Sequence, residues 1–186
     1  MIWDSRPWKR NLARCADSLR RRKQQLRWTE VSCAAVERDI LLSAYAVRKL
    51  LEAGKVSDEV ESRSLRALAH LPRGRAVDIM NWHGIDDLYD LSTHTEVSLG
   101  LRDFCNQVVH SFVFVLSFAA PGGLEGFFLA SDREKERQLL YFPIDAVTDS
   151  LFRVADDDIV TGRVLRDAVA KPARITKKSN RLEART

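Results

Sequence analysis

Arg102, Asn106 and His110 stand four residues apart within Leu101-Arg102-Asp103-Phe104-Cys105-Asn106-Gln107-Val108-Val109-His110-Ser111. On a helix that spacing places them in one row, each a turn beyond the last. The row offers a permanent cation, an amide and an imidazole. An imidazole exchanges protons near neutral pH. A guanidinium grips a phosphate at two oxygens and steadies the charge of a pentacoordinate transition state. The three residue types together suit work on a phosphodiester: His110 as proton-transfer group, Asn106 as orienting group, Arg102 as phosphate anchor. The same row also has a plain scaffold reading, a helix surface whose terminal histidine caps carbonyls in the favourable field of the helix dipole.

Position relative to the apolar face sharpens the first reading. Leu101, Phe104, Cys105, Val108 and Phe112 centre on one side of a helix expected over about 95–110. Arg102, Asn106 and His110 fall on its flank, where packing holds a side chain and leaves its tip in a cleft. Cys105 falls on the apolar side and reads as a buried, inert thiol.

Cys105-Asn106-Gln107-Val108-Val109-His110 resembles the RNxxxH motif of the HEPN superfamily, helical proteins that include metal-independent ribonucleases. The resemblance implies that Asn106 and His110 hold the polar and histidine positions of that motif. It further implies RNA as a partner and a homodimer that shares the cleavage site. Cys105 stands at the motif's arginine position, and Arg102, one turn earlier on the same row, is the nearest substitute. The resemblance covers about ten residues, with a helical layout over roughly the first 110.

The elements that must position this row follow from periodicity. Pro7 suits a first helical turn capped by Asp4 or Ser5. From about Trp8 to Ala53 the chain holds neither Pro nor Gly. Leu12, Cys15, Ala16, Leu19 and Leu26 form one apolar stripe. Val36, Ile40, Leu41, Ala44, Val47, Leu50 and Leu51 form another. The segment is one long helix or two broken near Thr29, and Gly54 stops it. Ser57 or Asp58 starts a shorter helix, with Val60, Leu65, Leu68, Ala69 and Leu71 as its apolar residues, ending before Pro72. From Arg73 to Thr95 the period is lost, which indicates a structured loop.

After Ser111 the character changes. Phe112 to Phe118 is aromatic and β-branched, Pro121-Gly122-Gly123 is a turn, and 126–130 and 138–142 read as two further strands. Pro143 then opens a helix with Ile144, Val147, Leu151, Phe152 and Val154 on its face. Asp156-Asp157-Asp158 caps a last helix to about Ala170. The expected fold is α+β: a mostly helical bundle (5–110), a three-stranded antiparallel meander (111–142) and closing helices (143–170). These make one domain over 1–172, with a basic flexible tail over 173–186.

Composition narrows the class. The chain has 186 residues, 45% hydrophobic and 30% charged, which suits a single folded domain rather than a disordered chain. Its 30 basic residues against 26 acidic ones leave a net charge of +4, a slight bias toward anionic partners. Arg20, Arg21, Arg22 and Lys23 form a basic run that could lie along nucleic acid, with Trp28 near enough to stack a base. A solvated helix face with a packed tryptophan explains them as well. Three cysteines, Cys15, Cys33 and Cys105, show no CxxC spacing and point to a reducing, cytoplasmic setting. No apolar run reaches bilayer length, so no membrane partner is expected.

Smaller candidates remain. Asn81, His83, Asp86, Asp87, Asp90 and His94 could gather a cation, but their spacing matches no ligand pattern, and no metal is assigned. His70 reads as structural, Trp3 and Trp8 as a staple for the first helix, and Arg48, Lys49, Glu52 and Lys55 as an ion-paired helix surface. No glycine-rich phosphate loop and no serine elbow appear, so no cofactor is expected. The functional expectation is a protein acting on RNA, a metal-independent ribonuclease or an inactive relative. The alternative is a non-catalytic protein–protein interaction or regulatory module of a bacterial or phage system.

Overall fold

A reciprocal cap splits the first fifty residues. In the computed structural model, which describes residues 2–165 and 174–180, Thr29 Oγ1 accepts from the Ser32 amide at 3.2 Å. Ser32 Oγ in turn accepts from the Thr29 amide at 2.9 Å. Two backbone donors that a new helix would leave unpaired are thereby satisfied, so the chain restarts there. Helix α1 is Arg6–Arg22 and α2 is Glu30–Glu52. Gly54 follows with φ +65, the left-handed turn that ends α2.

Beyond it the chain departs from the expected helix. Only Asp58–Glu61 forms α3, capped by Ser57, whose hydroxyl accepts from the Val60 amide at 3.4 Å. Ser64–His70 is strand β1. Leu65, Ala67 and Ala69 are buried while Ser64 and Arg66 are exposed, a two-residue alternation that a helix would scatter round its circumference. After the short α4 (Ile85–Leu88), Thr95–Gly100 is β2 and not the first turns of a helix. Helix α5 runs from Leu101 to Val109, followed by β3 (Ser111–Phe118), β4 (Leu124–Ser131), β5 (Leu139–Pro143) and α6 (Ile144–Asp156).

The expected three-stranded sheet is therefore corrected to an open five-stranded antiparallel one, in the order β2-β1-β5-β4-β3. The meander β3-β4-β5 is present, with Val115 opposite Phe128 and Phe127 opposite Phe142. To its β5 edge the chain adds β1, with Ala69 opposite Leu140, and then β2, with Ala67 opposite Val97. Segment 5–110 is thus not purely helical: it supplies two of the five strands. The second closing helix is corrected as well. Ile159–Leu165 is strand β6, and the expected tail contains strand β7, Arg174–Asn180, paired antiparallel with β6. The expected helix end at 166–170, and positions 173 and 181–186 of the expected tail, lie outside the described residues.

Both faces of the large sheet are covered. Helices α1, α2, α5 and α6 bury Leu12, Leu19, Ile40, Leu50, Phe104 and Leu151 against Leu65, Phe127 and Phe142. The loop over 71–94 closes the other face, setting Val77, Ile85, Leu88 and Tyr89 on Val113, Ala130 and Leu139. Trp3, at 96% exposed, packs on almost nothing, while Trp8 is 38% exposed.

Candidate functional site

Helix α5 is short because β2 feeds it at Gly100 and the chain must reverse into β3 at Ser111. Leu101, Phe104, Cys105 and Val108 sink into the core, which fixes the rotation of the helix and sends Asn106 and His110 toward one side. His110 is the residue at the reversal. Its amide donates to the Asn106 carbonyl at 3.1 Å, and its own carbonyl accepts from the Asp132 amide at 3.1 Å. The backbone is held at both ends while the imidazole is exposed.

That imidazole opens into a cleft of about 510 Å³ lined by Arg48, Asp103, Asn106, Gln107, His110 and the turn Ser131 to Glu134. A cleft of this size suits a small ligand or a short stretch of a longer one. Three elements meet there: α2, the last turn of α5, and the turn between β4 and β5. The guanidinium comes from α2. Arg48 Nη1 lies 3.5 Å from His110 Nε2, the outer limit of a hydrogen bond. Arg48 Nε donates to Glu52 Oε1 at 3.1 Å, and Glu52 Oε2 also holds Lys49 Nζ at 2.7 Å. Glu52 thereby steadies Arg48 and leaves its outer nitrogens toward the cleft. The paired surface expected at Arg48, Lys49 and Glu52 exists, and its arginine faces the histidine.

Arg102 is placed elsewhere. It is paired with Glu61 of α3 at 2.9 Å and does not line the cleft. The reason is helical geometry: eight residues separate Arg102 from His110, about 12 Å of rise and roughly 80° of rotation. A row spaced by four therefore drifts out of a cleft centred on its last member. Of the three expected residues the fold brings together Asn106 and His110, and Arg48 stands where a phosphate anchor was assigned to Arg102. Arg48 lies 62 positions from His110 in the chain. Nothing local to the motif points to it.

The remaining candidates fall into structural roles. Cys105 is fully buried, and burial pushes its thiol up to about 12, against the smaller opposing pull of Arg102 and Arg48. Arg20 pairs with Asp149 at 2.5 Å and lies over the Phe152 ring at 4.4 Å. Lys23 pairs with Asp145 at 2.6 Å, and Arg22 donates to Gln25 at 3.0 Å. Three of the four basic residues assigned to nucleic acid are thus occupied; Arg21 is exposed. Trp28 packs on Phe118 at 4.6 Å and donates to the Gly122 carbonyl at 2.6 Å, so it serves the core and not a base.

In the loop over 81–94, Asp90 takes Ser92 Oγ at 2.6 Å and Thr93 Oγ1 at 2.7 Å. His83 meets Trp82 edge-on at 5.8 Å, and His94 lies 5.9 Å from His70. Among the described residues no group of three or more His, Cys, Asp or Glu gathers to hold a metal ion. His70 is buried, with Nδ1 shared between the Asp90 and Thr93 carbonyls at 3.2 and 2.9 Å. No described helix is long and apolar enough to cross a membrane.

The charges around the cleft are mixed. Arg48, Arg133 and His110 share the lining with Asp103, Asp132 and Glu134. Asp132 is held by Lys135 at 2.9 Å and Glu134 by Arg137 at 3.6 Å. Gln107 Oε1 is buried without a hydrogen-bond partner among the described residues. Comparison of the chain with family models, curated proteins and solved structures found no match.

Proposed function

We propose that this protein cleaves RNA at the Arg48–Asn106–His110 cleft by metal-independent acid–base catalysis. The observation that carries the reading is the meeting of an exposed imidazole with a guanidinium 3.5 Å away, inside a cleft that also displays an amide. These groups match the demands of phosphodiester transfer. His110 accepts the proton of a ribose 2′-hydroxyl, whose oxygen attacks the adjacent phosphorus. The bond to the 5′-oxygen breaks as the new one forms, and the departing oxygen takes a proton from water. Arg48 neutralises the charge gathering on the non-bridging oxygens, where a fork of donors is worth most. Asn106 orients the hydroxyl or the ring. The products are a 2′,3′-cyclic phosphate and a 5′-hydroxyl.

The cytoplasm is the setting that fits this reading, since RNA is there and three free thiols are stable there. The resemblance of Asn106 and His110 to the HEPN motif supports the same chemistry through a different arginine.

The test uses a labelled single-stranded RNA with EDTA present. Wild-type protein yields fragments ending in cyclic phosphate. His110→Ala and Arg48→Ala each lower the rate at least 100-fold, the usual worth of a positioned proton-transfer group or charge clamp. Arg102→Ala leaves the rate within about twofold. Undiminished cleavage by the His110 variant, or a rate abolished by EDTA, removes the proposal.

A second reading rests on strand β3. It lies at the open edge of the sheet, and Ser111–Phe118 carries no charge to discourage another strand. An interaction module would use that edge by strand addition. It predicts that His110→Ala changes nothing measurable while a proline at Val115, in the regular middle of β3, abolishes partner capture.

A further inference from the structure

We infer that Arg133 is a second phosphate anchor and that the cleft takes a single-stranded RNA segment by its backbone, two phosphates at a time. The inference rests on the RNA-cleaving assignment above and extends it to the form of the substrate. Arg133 sits on the turn between β4 and β5 and lines the cleft together with Arg48 of α2. The turn is tied to the reacting histidine, because the Asp132 amide donates to the His110 carbonyl at 3.1 Å. It is tied again at its far side, where the Lys135 carbonyl accepts from Tyr89 Oη at 2.6 Å and Lys135 Nζ lies 3.5 Å over the Phe112 ring. Arg133 therefore projects from a fixed platform.

The turn also sorts its cations. Lys135 holds Asp132 and Arg137 holds Glu134, at 2.9 and 3.6 Å. Arg133 is exposed and, among the described residues, enters no ion pair. A guanidinium left open at the wall of a cleft that a second guanidinium also lines matches an anion with two charged groups along one chain.

Two further features define that chain. Among the described residues no Phe, Tyr or Trp lines the cleft, and its one ring, the His110 imidazole, is the proton-transfer group, so it offers no extended platform for stacking bases. Recognition then falls to phosphates and is indifferent to sequence. Asp103, which enters no ion pair among the described residues, repels further phosphates, while Asp132 and Glu134 are answered by Lys135 and Arg137. A duplex, which presents two charged strands to a broad surface, meets that repulsion without being able to enter. A single strand threads past it.

The experiment measures binding of a fluorescein-labelled 12-nucleotide single-stranded RNA of mixed sequence to the His110→Ala protein over a range of salt. The expected dependence of log Kd on log salt corresponds to about two phosphates, a slope near 1.4 at about 0.7 per contact on a single strand. Adding Arg133→Ala weakens binding severalfold and lowers the slope by about 0.7. Arg133→Lys restores the slope, because charge is what the slope counts. The same RNA annealed to its complement binds at least tenfold more weakly. A residue of merely structural role would leave the salt slope unchanged. An unaltered slope in Arg133→Ala, or equal affinity for duplex, overturns the inference; if Arg48→Ala still abolishes cleavage, the assignment of activity survives it. Cleavage that persists in His110→Ala, or no binding of any RNA, removes both.

Discussion

Arg48 illustrates how a side chain acquires a role from its neighbours. Its position on α2 is dictated by the burial of Val47, Leu50 and Leu51, which turns the residue between them outward toward α5. Glu52 then holds one nitrogen of its fork. Lysine carries the same charge on a single nitrogen, without the planar fork that lets one side of the guanidinium hold Glu52 while the other faces a phosphate. Arg48→Lys is therefore expected to retain less than a tenth of the cleavage rate while melting like wild type, a difference that single-turnover kinetics and calorimetry read separately.

Cys105 gives the opposite case. Its thiolate is disfavoured by burial, with the pKa pushed up to about 12. At pH 8 a disulfide reagent should modify the half-buried Cys33 in minutes and leave Cys105 untouched until the protein unfolds. Prompt labelling of Cys105 in native protein would contradict its place in the core.

Elements here are ended and joined by a few polar contacts. The reciprocal cap at Thr29 is what makes α2 begin anew instead of continuing α1. Thr29→Ala should cost about 1 kcal/mol of stability by denaturant titration. The close approach of the Gly122-Gly123 turn to α1 is stricter. A methyl at Gly123 would collide with the Lys23 carbonyl, and the loop holding Trp28 would have to shift. Gly123→Ala is expected to destabilise by about 2 kcal/mol.

The loop over 71–94 depends on Asp90 in another way. Hydrogen bonds from Ser92 and Thr93 hold its carboxyl down at about 2. A carboxylate with a depressed native pKa contributes stability above its unfolded value, near 3.9. That contribution fades as pH falls from there through about 2. Asp90→Asn should therefore lower the melting temperature at neutral pH and narrow its gap to wild type between about pH 4 and pH 2.

At the scale of the whole molecule, Asp157 joins parts distant in sequence. Its backbone carbonyl accepts from the buried Lys9 ammonium of α1, and its carboxylate accepts from the Ser57 amide at 2.6 Å. The end of α6 is thus pinned to the first helix and to the start of α3. Burial holds the Lys9 ammonium below the ordinary lysine range, so the charge is tolerated only because these partners are in place. Asp157→Ala removes a buried acceptor and should cost about 2 kcal/mol, which in a chain of this size lowers Tm by roughly 4–8 °C. A change within 1 °C would show that the pin is dispensable.

Much of the architecture was legible in the linear chain wherever one local rule dominated. The stripes at Leu12, Ala16 and Leu19 and at Val36, Ile40 and Val47 marked two helices, and Phe112 to Phe142 marked the meander, because period and residue type agreed there. Leu65, Ala67 and Ala69 also alternate, yet alanine and leucine favour helices. Only pairing with β5 and β2 made them a strand. The site divides in the same way. Asn106 and His110 could be read as neighbours because four residues is one helical turn. Arg48, and the turn that carries Arg133, reach them across dozens of intervening residues, and no local pattern encodes a contact that packing alone creates.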